Sequence, residues 1–456
     1  MKVHFIAIGG SAMHNLAIAL HKKGFQITGS DDVVFEPSAT RLAKYGLLPA
    51  EQGWYPEKLS TDLDAVVLGM HARIDNPELL KAQELGLKIY SYPEYIYEQS
   101  KDKLRVVIGG SHGKTTITSM ILHVLQAAGK EFDYLVGAQL AGFDTMVKLS
   151  DAPIIVIEGD EYLSSPIDRR PKFHLYKANI AVLSGIAWDH INVFPTFDNY
   201  IEQFRIFIKT IMVGGSLFYS ETDEVLKQAV LNDDSEINKL GYALPPYQIT
   251  DGITYIEYNG KSYPLNVFGQ HNLLNIEAAR YVCGMFDITT DAFYQYISTF
   301  KGAARRLELL GNNSHVNVYK DFAHSPSKLI ATIQAVKAQF PNRKLLACME
   351  LHTFSSLNAD FLHEYAGTMD EADTAVVFID QKTFEQKKMQ PYGAAEVKAA
   401  FERDDLVFFN QPASLLTLFD DLDAVDYSVL LMSSGNFGGL DLNILTQNIL
   451  KKYFDK

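Results

Sequence analysis

The sequence predicts an α/β protein of three domains, each built on a mainly parallel, doubly wound sheet. Three observations point there. Short apolar runs of strand length alternate with longer stretches of helical periodicity along the chain. Two of those runs, in residues 3–10 and 106–113, pass through glycines straight into a helix, the strand–turn–helix outline of a nucleotide-binding unit. Two boundary stretches, the polar 99–103 and 298–310 with its Arg305-Arg306 pair, divide the 456 residues into segments near the usual domain size of about 150. The expected domains are 1–103, 104–302 and 303–456.

In the first segment, residues 3–9 read as a strand. Gly9, Gly10 and Ser11 then open a helix that Gly24 stops. A second strand ends in Asp31 and Asp32, about twenty residues beyond the turn, where an acid can take a ribose hydroxyl. Met13 and His14 stand where the third glycine of a dinucleotide fingerprint is expected. A nicotinamide cofactor, a UDP-sugar and a ligand-free βαβ core all remain open at this point. Strands at 64–69 and 88–91 follow, with helices from Pro77 and Pro93.

The second segment opens with Arg-Val-Val-Ile-Gly-Gly-Ser-His-Gly-Lys-Thr-Thr, residues 105–116. An apolar strand leads through glycines to a helix whose Ile117, Met120, Ile121, Val124 and Leu125 share one face. The glycines let backbone N–H groups approach an anion, and the helix start presents more of them with its dipole behind. Lys114 supplies a cation for outer phosphates, and the Thr115 hydroxyl can hold Mg²⁺. The generic P-loop needs a glycine where Ile108 stands, so this is a shorter variant. It predicts ATP as a substrate. A strand then carries Glu158, Asp160 and Glu161 at its C-terminal end, a natural place for a Mg²⁺ ligand beside a phosphate loop. Trp188, Asp189 and His190 close the next strand. A helix runs from Asp198 to about Ile211. Tyr258-Asn259-Gly260-Lys261 signals a hairpin. Gly269-Gln270-His271-Asn272 leads into a helix with Asn275 one turn on.

Arg305 and Arg306 mark the third segment. Its strands are expected within 316–326, at 344–351, 374–379 and 406–409, and within 428–439. Helices are expected from Pro326, from about Asp360, from Ser414 and at the C-terminal end, with a glycine-rich loop at 435–439.

Apolar residues make up 47% of the chain and charged residues 21%, as in a soluble globular protein. The formal net charge of -14 disfavours nucleic acid as a partner and leaves anionic small substrates open. Cys283 and Cys348 lie in apolar runs and read as buried free thiols. No run approaches about 20 apolar residues, so no membrane span is expected. A cytoplasmic setting is the expectation.

With these residues assembled, the chain resembles the Mur ligases, ATP-dependent amide-bond-forming enzymes of peptidoglycan metabolism. Gly-Ser-His-Gly-Lys-Thr-Thr at 110–116 resembles the family's ATP loop, and Ile-Glu-Gly-Asp-Glu-Tyr at 157–162 its acidic metal strand. Trp-Asp-His at 188–190 resembles its second metal motif. The stretch 268–279 resembles the asparagine motif that contacts the nucleotide, and 305–311 and 321–326 the entry to its C-terminal domain. The N-terminal glycine turn resembles the branch that binds UDP-N-acetylmuramic acid. Residues 160–162, 168–173, 321–326 and 435–439 look more like the member of that branch that takes a murein tripeptide than the one that takes L-alanine.

The resemblance implies roles. Gly9, Gly10, Ser11, Asp31 and His71 would hold the UDP-sugar. Gly110, Ser111, His112, Gly113, Lys114, Thr115 and Thr116 would cradle ATP, joined by Asn272, by Asn275 toward adenine, by Arg306 on the γ-phosphate and by Asp321 on the ribose. Thr115 and Glu158 would bind Mg²⁺, and His190 would serve a second metal. Lys114, His190 and Arg306 are the catalytic candidates. Arg169, Arg170 and His352 are candidates for the peptide. Some sister ligases carry a carbamylated lysine on the helix after the Asp-His pair. Phe204 stands at that spacing here, with Lys209 more than a turn away. A nicotinamide oxidoreductase would leave the phosphate loop and Glu158 without a purpose. A nucleotide switch would leave the N-terminal unit unexplained.

Overall fold

The computed structural model describes residues 1–140, 142–188, 193–303, 306–420 and 426–452. The chain is α/β, with parallel-rich sheets, and forms two compact units. One comprises Met1–Ile186, Thr196–Ala243 and Ala278–Phe293, the other Ala187–Pro195, Leu244–Glu277 and Tyr294–Lys456.

The first unit holds two sheets. The smaller contains β1 (Lys2–Ile6), β2 (Gln26–Ser30), β3 (Ala65–Leu68) and β4 (Ile89–Ser91), in the order β2-β1-β3-β4 and parallel throughout. Its helices are α1 (Ser11–Lys22), α2 (Ser38–Lys44), α3 (Pro77–Glu84) and α4 (Tyr92–Ser100). Val3, Phe5, Ile6, Val66, Val67 and Leu68 are fully buried, which explains their unbroken apolar runs: both faces of a parallel sheet are covered. Asn76 starts α3 by accepting from the N–H groups of Glu78 and Leu79, and Ser91 with Glu94 forms a capping box on α4. Ile6 lies opposite both Ser30 and Leu68. The loops after β1, β2 and β3, which carry Gly9 to Ser11, Asp31 and His71, therefore emerge along one edge of the sheet.

The larger sheet contains β5 (Leu104–Gly109), β6 (Asp133–Leu135), β7 (Val147–Lys148), β8 (Ile154–Glu158), β9 (Ile180–Leu183), β10 (Ser216–Ser220) and β11 (Asn238–Tyr242), in the order β11-β10-β9-β5-β8-β6-β7. Only β7 runs antiparallel to its neighbour. Helix α5 (Lys114–Ala127) follows β5, and α6 (Phe197–Thr210) follows β9. The expected apolar face of α5, from Ile117 to Leu125, is fully buried. In the parallel register Ile108 pairs with Glu158 and Gly109 with Leu183. The acidic strand thus ends beside the phosphate loop.

The stretch 99–103, read from sequence as a linker, is not loose chain. Helix α4 occupies it to Ser100, and the Arg105 guanidinium gathers the carbonyls behind it. Its Nη1 donates to Ser100, Lys101 and Lys103, and its Nε to Tyr176 and Lys177, at 2.9–3.1 Å. Arg105 is 2% exposed.

The second unit holds an antiparallel sheet of β12 (Tyr247–Thr250), β13 (Ile253–Tyr258) and β14 (Lys261–Leu265). The predicted hairpin joins β13 to β14. Asn259 and Gly260 both adopt positive φ, 47° and 71°, as a two-residue turn between twisted strands requires. A six-stranded sheet follows: β15 (Glu308–Asn312), β16 (Val316–Asp321), β17 (Lys344–Glu350), β18 (Thr374–Phe378), β19 (Val407–Phe409) and β20 (Tyr427–Met432), in the order β15-β16-β20-β17-β18-β19. The helix expected from about Asp360 is one 3₁₀ turn, Leu362–Tyr365. It stops because Ala366 turns extended and Gly367 takes φ 69°. Between β18 and β19 the chain forms two short helices that the sequence reading passed over, Gln381–Lys387 and Ala394–Phe401. Among the described residues no helix is long and apolar enough to cross a membrane.

Replacing Arg105 by leucine should lower unfolding stability by at least about 2 kcal/mol, because several buried carbonyls lose their donor together. Denaturant melts of the two proteins measure this, and an unchanged midpoint would show that Arg105 does not hold the segment.

Candidate active site

The phosphate loop is shaped by two glycines. Gly110 has φ 125°, and a Cβ there would lie 2.1 Å from the Ser184 Oγ. Gly113 caps α5 with φ 76°. Neither conformation suits a side chain. The N–H of Ser111 donates to the Gly185 carbonyl (3.0 Å), and the Ser184 hydroxyl donates to the carbonyl of His112, so the loop is fastened to the end of β9.

Lys114 is held by an acid. Its Nζ donates to the Glu161 carboxylate at 2.8 Å and to the Gly110 carbonyl at 2.7 Å. Glu161 is 1% exposed, and its second oxygen accepts from the Tyr200 hydroxyl (3.2 Å), which also meets the Ser111 hydroxyl at 2.9 Å. Burial disfavours the charged Lys114, but the charge of Glu161, with Asp160 and Glu158 behind it, outweighs burial and raises the lysine's pKa. Tyr200 carried no signal in the sequence. It lies on the buried face of α6, one turn before Phe204. Phe204 is fully buried and packs edge-on against Phe173 at 5.5 Å. The position where sister ligases keep a lysine is thus an aromatic core position, and Lys209 is exposed.

Glu158 is buried beside the loop. It accepts from the Thr115 hydroxyl and from the Gly137 N–H, both at 2.8 Å. Lys114 is spoken for by Glu161, and Lys172 by Asp160 at 2.6 Å. No described cation forms an ion pair with Glu158. Burial accordingly raises its pKa, more than its hydrogen bonds and the distant Lys114 lower it. Two hard oxygens 2.8 Å apart, one anionic and short of a cation, fit adjacent positions of an octahedral Mg²⁺. With ligands at about 2.1 Å, such positions lie about 3 Å apart. Among the described residues no three His, Cys, Asp or Glu side chains form a metal cluster. His190 and its neighbour Asp189, like Arg305, lie outside the described residues.

At the smaller sheet, Asp31 is 5% exposed and accepts from the Gly9 N–H at 2.7 Å. The acid thereby fixes the glycine turn as well as standing at its mouth. Burial pushes its pKa up to about 6, despite that N–H. Gly10 and Ser11 begin α1, and His71 is exposed on the loop after β3.

In the second unit, Asp321 ends β16. One oxygen accepts from the Leu307 N–H (2.6 Å), the other from Ala323 (2.7 Å), which sets the backbone beside Arg306. The Arg306 guanidinium lies 4.8 Å from the centre of the Phe322 ring. Burial lowers the His271 pKa, against the charge of Asp321 and with that of Arg306. It was not singled out from sequence, although it sits inside the asparagine motif. Asn272 donates to the Phe268 carbonyl (2.9 Å), and Asn275 lies 3.5 Å from Asn272.

The peptide candidates fare unevenly. Arg169 is exposed. Arg170 is held by Asp168 at 2.6 Å and meets Glu94 at 3.3 Å, so its charge is already matched. His352 belongs to the second unit, where its Nδ1 lies 3.9 Å from Glu350. The other Glu350 oxygen accepts from the Ser433 hydroxyl and from the Phe437 N–H, which anchors the glycine-rich loop.

A phosphate loop, an acidic strand and a nucleotide-type glycine turn on successive sheets call for comparison with known proteins. Residues 2–103 match the "Mur ligase family, catalytic domain", 108–283 the "Mur ligase middle domain" and 305–435 the "Mur ligase, glutamate ligase domain". The UDP-N-acetylmuramate–L-alanine ligase of Caldanaerobacter subterraneus subsp. tengcongensis is 31% identical over 389 residues, 82% of each chain. The chain belongs to the Mur ligase family. It is accordingly an ATP-dependent ligase that forms an amide bond. A second relative of this Mur ligase, from Haemophilus influenzae, is named UDP-N-acetylmuramate–L-alanyl-γ-D-glutamyl-meso-2,6-diaminoheptandioate ligase. It is 27% identical over 465 residues, 98% of this chain and 99% of its own. The crystal structure of a murein peptide ligase from Psychrobacter arcticus shares the fold, with a TM-score of 0.63 and 21% identity over 99% of this chain and 98% of its own.

Asp31 gives this Mur ligase a pH signature. A carboxyl whose pKa is raised by folding favours the folded state while it stays protonated. That stability is present below the ordinary carboxylate pKa of about 4 and is lost as pH rises through about 6. Asp31→Asn, which cannot ionise, should therefore gain melting temperature relative to the parent at about pH 8 and little at about pH 4.5. An equal difference at both pH values would contradict a raised pKa.

Proposed function

We propose that this ligase joins the lactyl carboxylate of UDP-N-acetylmuramic acid to the amine of a murein tripeptide, L-alanyl-γ-D-glutamyl-meso-diaminopimelate, in the cytoplasmic recycling of peptidoglycan. The observation that supports the amine assignment is the end-to-end match to the tripeptide-ligase relative, 27% identical over 98% of this chain, against 24% over 99% for an L-alanine ligase of like span from Ruthia magnifica. One observation favours a second reading, in which L-alanine is the amine: the L-alanine ligase relative is more identical, 31%, over a shorter 82%.

The domains expected at 1–103, 104–302 and 303–456 divide the work. Gly9, Gly10, Ser11, Asp31 and His71 receive the UDP-sugar at the edge of the smaller sheet. The loop N–H groups from Gly110 to Thr116 bind ATP, and Lys114 exchanges Glu161 for the outer phosphates. Asn272, Asn275, Arg306 and Asp321 complete the nucleotide contacts, with Arg306 on the γ-phosphate. Thr115 and Glu158 hold Mg²⁺, which when bound neutralises phosphate charge. His190 serves a second metal. Arg169, Arg170 and His352 remain candidates for the peptide carboxylates.

The chemistry is acyl activation. A muramyl carboxylate oxygen attacks the γ-phosphorus, the bond to the β–γ bridging oxygen breaks, and ADP leaves. The amine nitrogen then attacks the acyl carbon, loses a proton, and expels phosphate. The protein's part is to align the two anions and to stabilise the transferring charge.

Comparing kcat/KM for the tripeptide and for L-alanine, with ATP, Mg²⁺ and UDP-N-acetylmuramic acid held constant, decides between the two readings. Preference for the tripeptide is expected. Preference for L-alanine would replace the first reading with the second.

A further inference from the structure

His14 stands with Met13 where the glycine fingerprint breaks off, Asn15 follows it, and the proposed function gives His14 and Asn15 no task. Both are buried, at 1% and 0% exposed, although they lie in the first turns of α1. Their polar atoms form a chain with one consistent set of protons. The His14 Nδ1 lies 2.9 Å from the Gly10 carbonyl, which can only accept, so Nδ1 carries the hydrogen and shares it with the Ser38 hydroxyl 3.0 Å away. Nε2 is then an acceptor and takes a hydrogen from the Asn15 Nδ2 at 2.9 Å. The same Nδ2 donates to the Ser11 carbonyl at 2.8 Å. That leaves the Asn15 Oδ1 as an acceptor, and it receives the N–H of Met146 at 3.0 Å.

Met146 is 131 residues away in sequence. It closes a strap, described at residues 136–140 and 142–146, that leaves the larger sheet after β6 and returns to it at β7. The Val136 N–H donates to the Met146 carbonyl at 3.0 Å, which pins the two ends together. The next N–H, that of Gly137, donates to Glu158 at 2.8 Å. A Cβ on Gly137 would lie 2.7 Å from a Glu158 oxygen, so only glycine lets the strap reach the carboxylate. Glu158 in turn accepts from Thr115. A second tether grips the same strap: Arg41 on α2 donates to the Gln139 side chain at 3.1 Å. From Gly10 to Thr115, each step is a hydrogen bond of ordinary length or one or two covalently adjacent residues.

We infer that His14 and Asn15 are positioning residues that fasten the glycine turn of the UDP-sugar site to the strap, and through Gly137 to the Glu158–Thr115 pair, so that filling either site helps to set the other. This rests on the assignment of the turn to the UDP-sugar and of Glu158 and Thr115 to Mg²⁺ and ATP. The glycine turn cannot shift without moving Asn15. Asn15 cannot shift without releasing a Met146 N–H that is otherwise satisfied. The strap carries any such shift to the backbone donor that holds the metal carboxylate. Coupling of this kind is reciprocal between the two ligands.

The test measures binding without turnover. The Kd of UDP-N-acetylmuramic acid is determined by calorimetry on the full chain, alone and with saturating Mg²⁺ and a non-hydrolysable ATP analogue. The parent should bind the sugar nucleotide at least about five-fold more tightly with the analogue present, a modest coupling by ordinary standards. Asn15→Ala should bring that ratio to within about two-fold of one, while the affinity for the analogue alone stays within two-fold of the parent. Arg41→Ala cuts the other tether, on a half-buried side chain outside the sites, and should lower the same ratio. It carries the test if Asn15→Ala fails to fold. A parent ratio of one, or a ratio unchanged in whichever variant folds, would overturn the inference. Failure of the parent to bind UDP-N-acetylmuramic acid at all would instead overturn the site assignment on which it rests.

Discussion

The ion pair between Lys114 and Glu161 is the interaction on which the rest of the site depends. Three carboxylates converge where β8 ends, and pairing of Ile108 with Glu158 brings them beside the phosphate loop. Charges of one sign, two of them buried, need compensation when they stand together. Lys172 answers Asp160, and Lys114 answers Glu161. Glu158 is left with a hydroxyl and an N–H. Binding of ATP would draw Lys114 toward phosphate and take away half of that compensation. A divalent cation held by Glu158 and Thr115 would restore it, which is the physical reason for proposing Mg²⁺ beside ATP.

Much of this was legible in the sequence because the carriers are local. The strand-to-helix turn at 105–116 announces itself through glycines that only the turn needs, and the apolar face of α5 by its period. Glu158 could be placed because a parallel sheet sets ligand groups at the C-terminal ends of its strands. The hairpin at Asn259 and Gly260 followed from two residues that tolerate positive φ. What stayed hidden depends on contacts across the chain. Tyr200 reads as one more aromatic in an amphipathic helix, yet its hydroxyl bridges Ser111 and Glu161. Arg105 reads as the first residue of a strand, yet it gathers five carbonyls. The 3₁₀ turn at Leu362–Tyr365 has helical spacing of apolar residues, and only the backbone of Ala366 and Gly367 cuts it short.

The N-terminal unit shows how a broken motif can be informative. The third glycine of a dinucleotide fingerprint serves close packing of helix against strand. In this chain His14 and Asn15 follow the turn, and the Asn15 side chain reaches Met146 at the start of β7. The departure weakened the motif as evidence for a nucleotide site. It is also the feature that links the two sheets of the first unit. Arg170 shows the reverse case: a cation read from sequence as a peptide candidate is paired with Asp168 and Glu94.

The measurement that tests the account most directly follows one oxygen. UDP-N-acetylmuramic acid labelled with ¹⁸O in its carboxylate is turned over with unlabelled ATP, Mg²⁺ and the tripeptide in ordinary water, and the phosphate released is analysed by mass spectrometry. If the carboxylate is activated by the γ-phosphoryl group held over Lys114, each phosphate formed with the amide carries one oxygen from the muramyl carboxylate. Amide formation with unlabelled phosphate would contradict the account, because the phosphoryl group would then have gone to water or to the protein and not to the acid being joined.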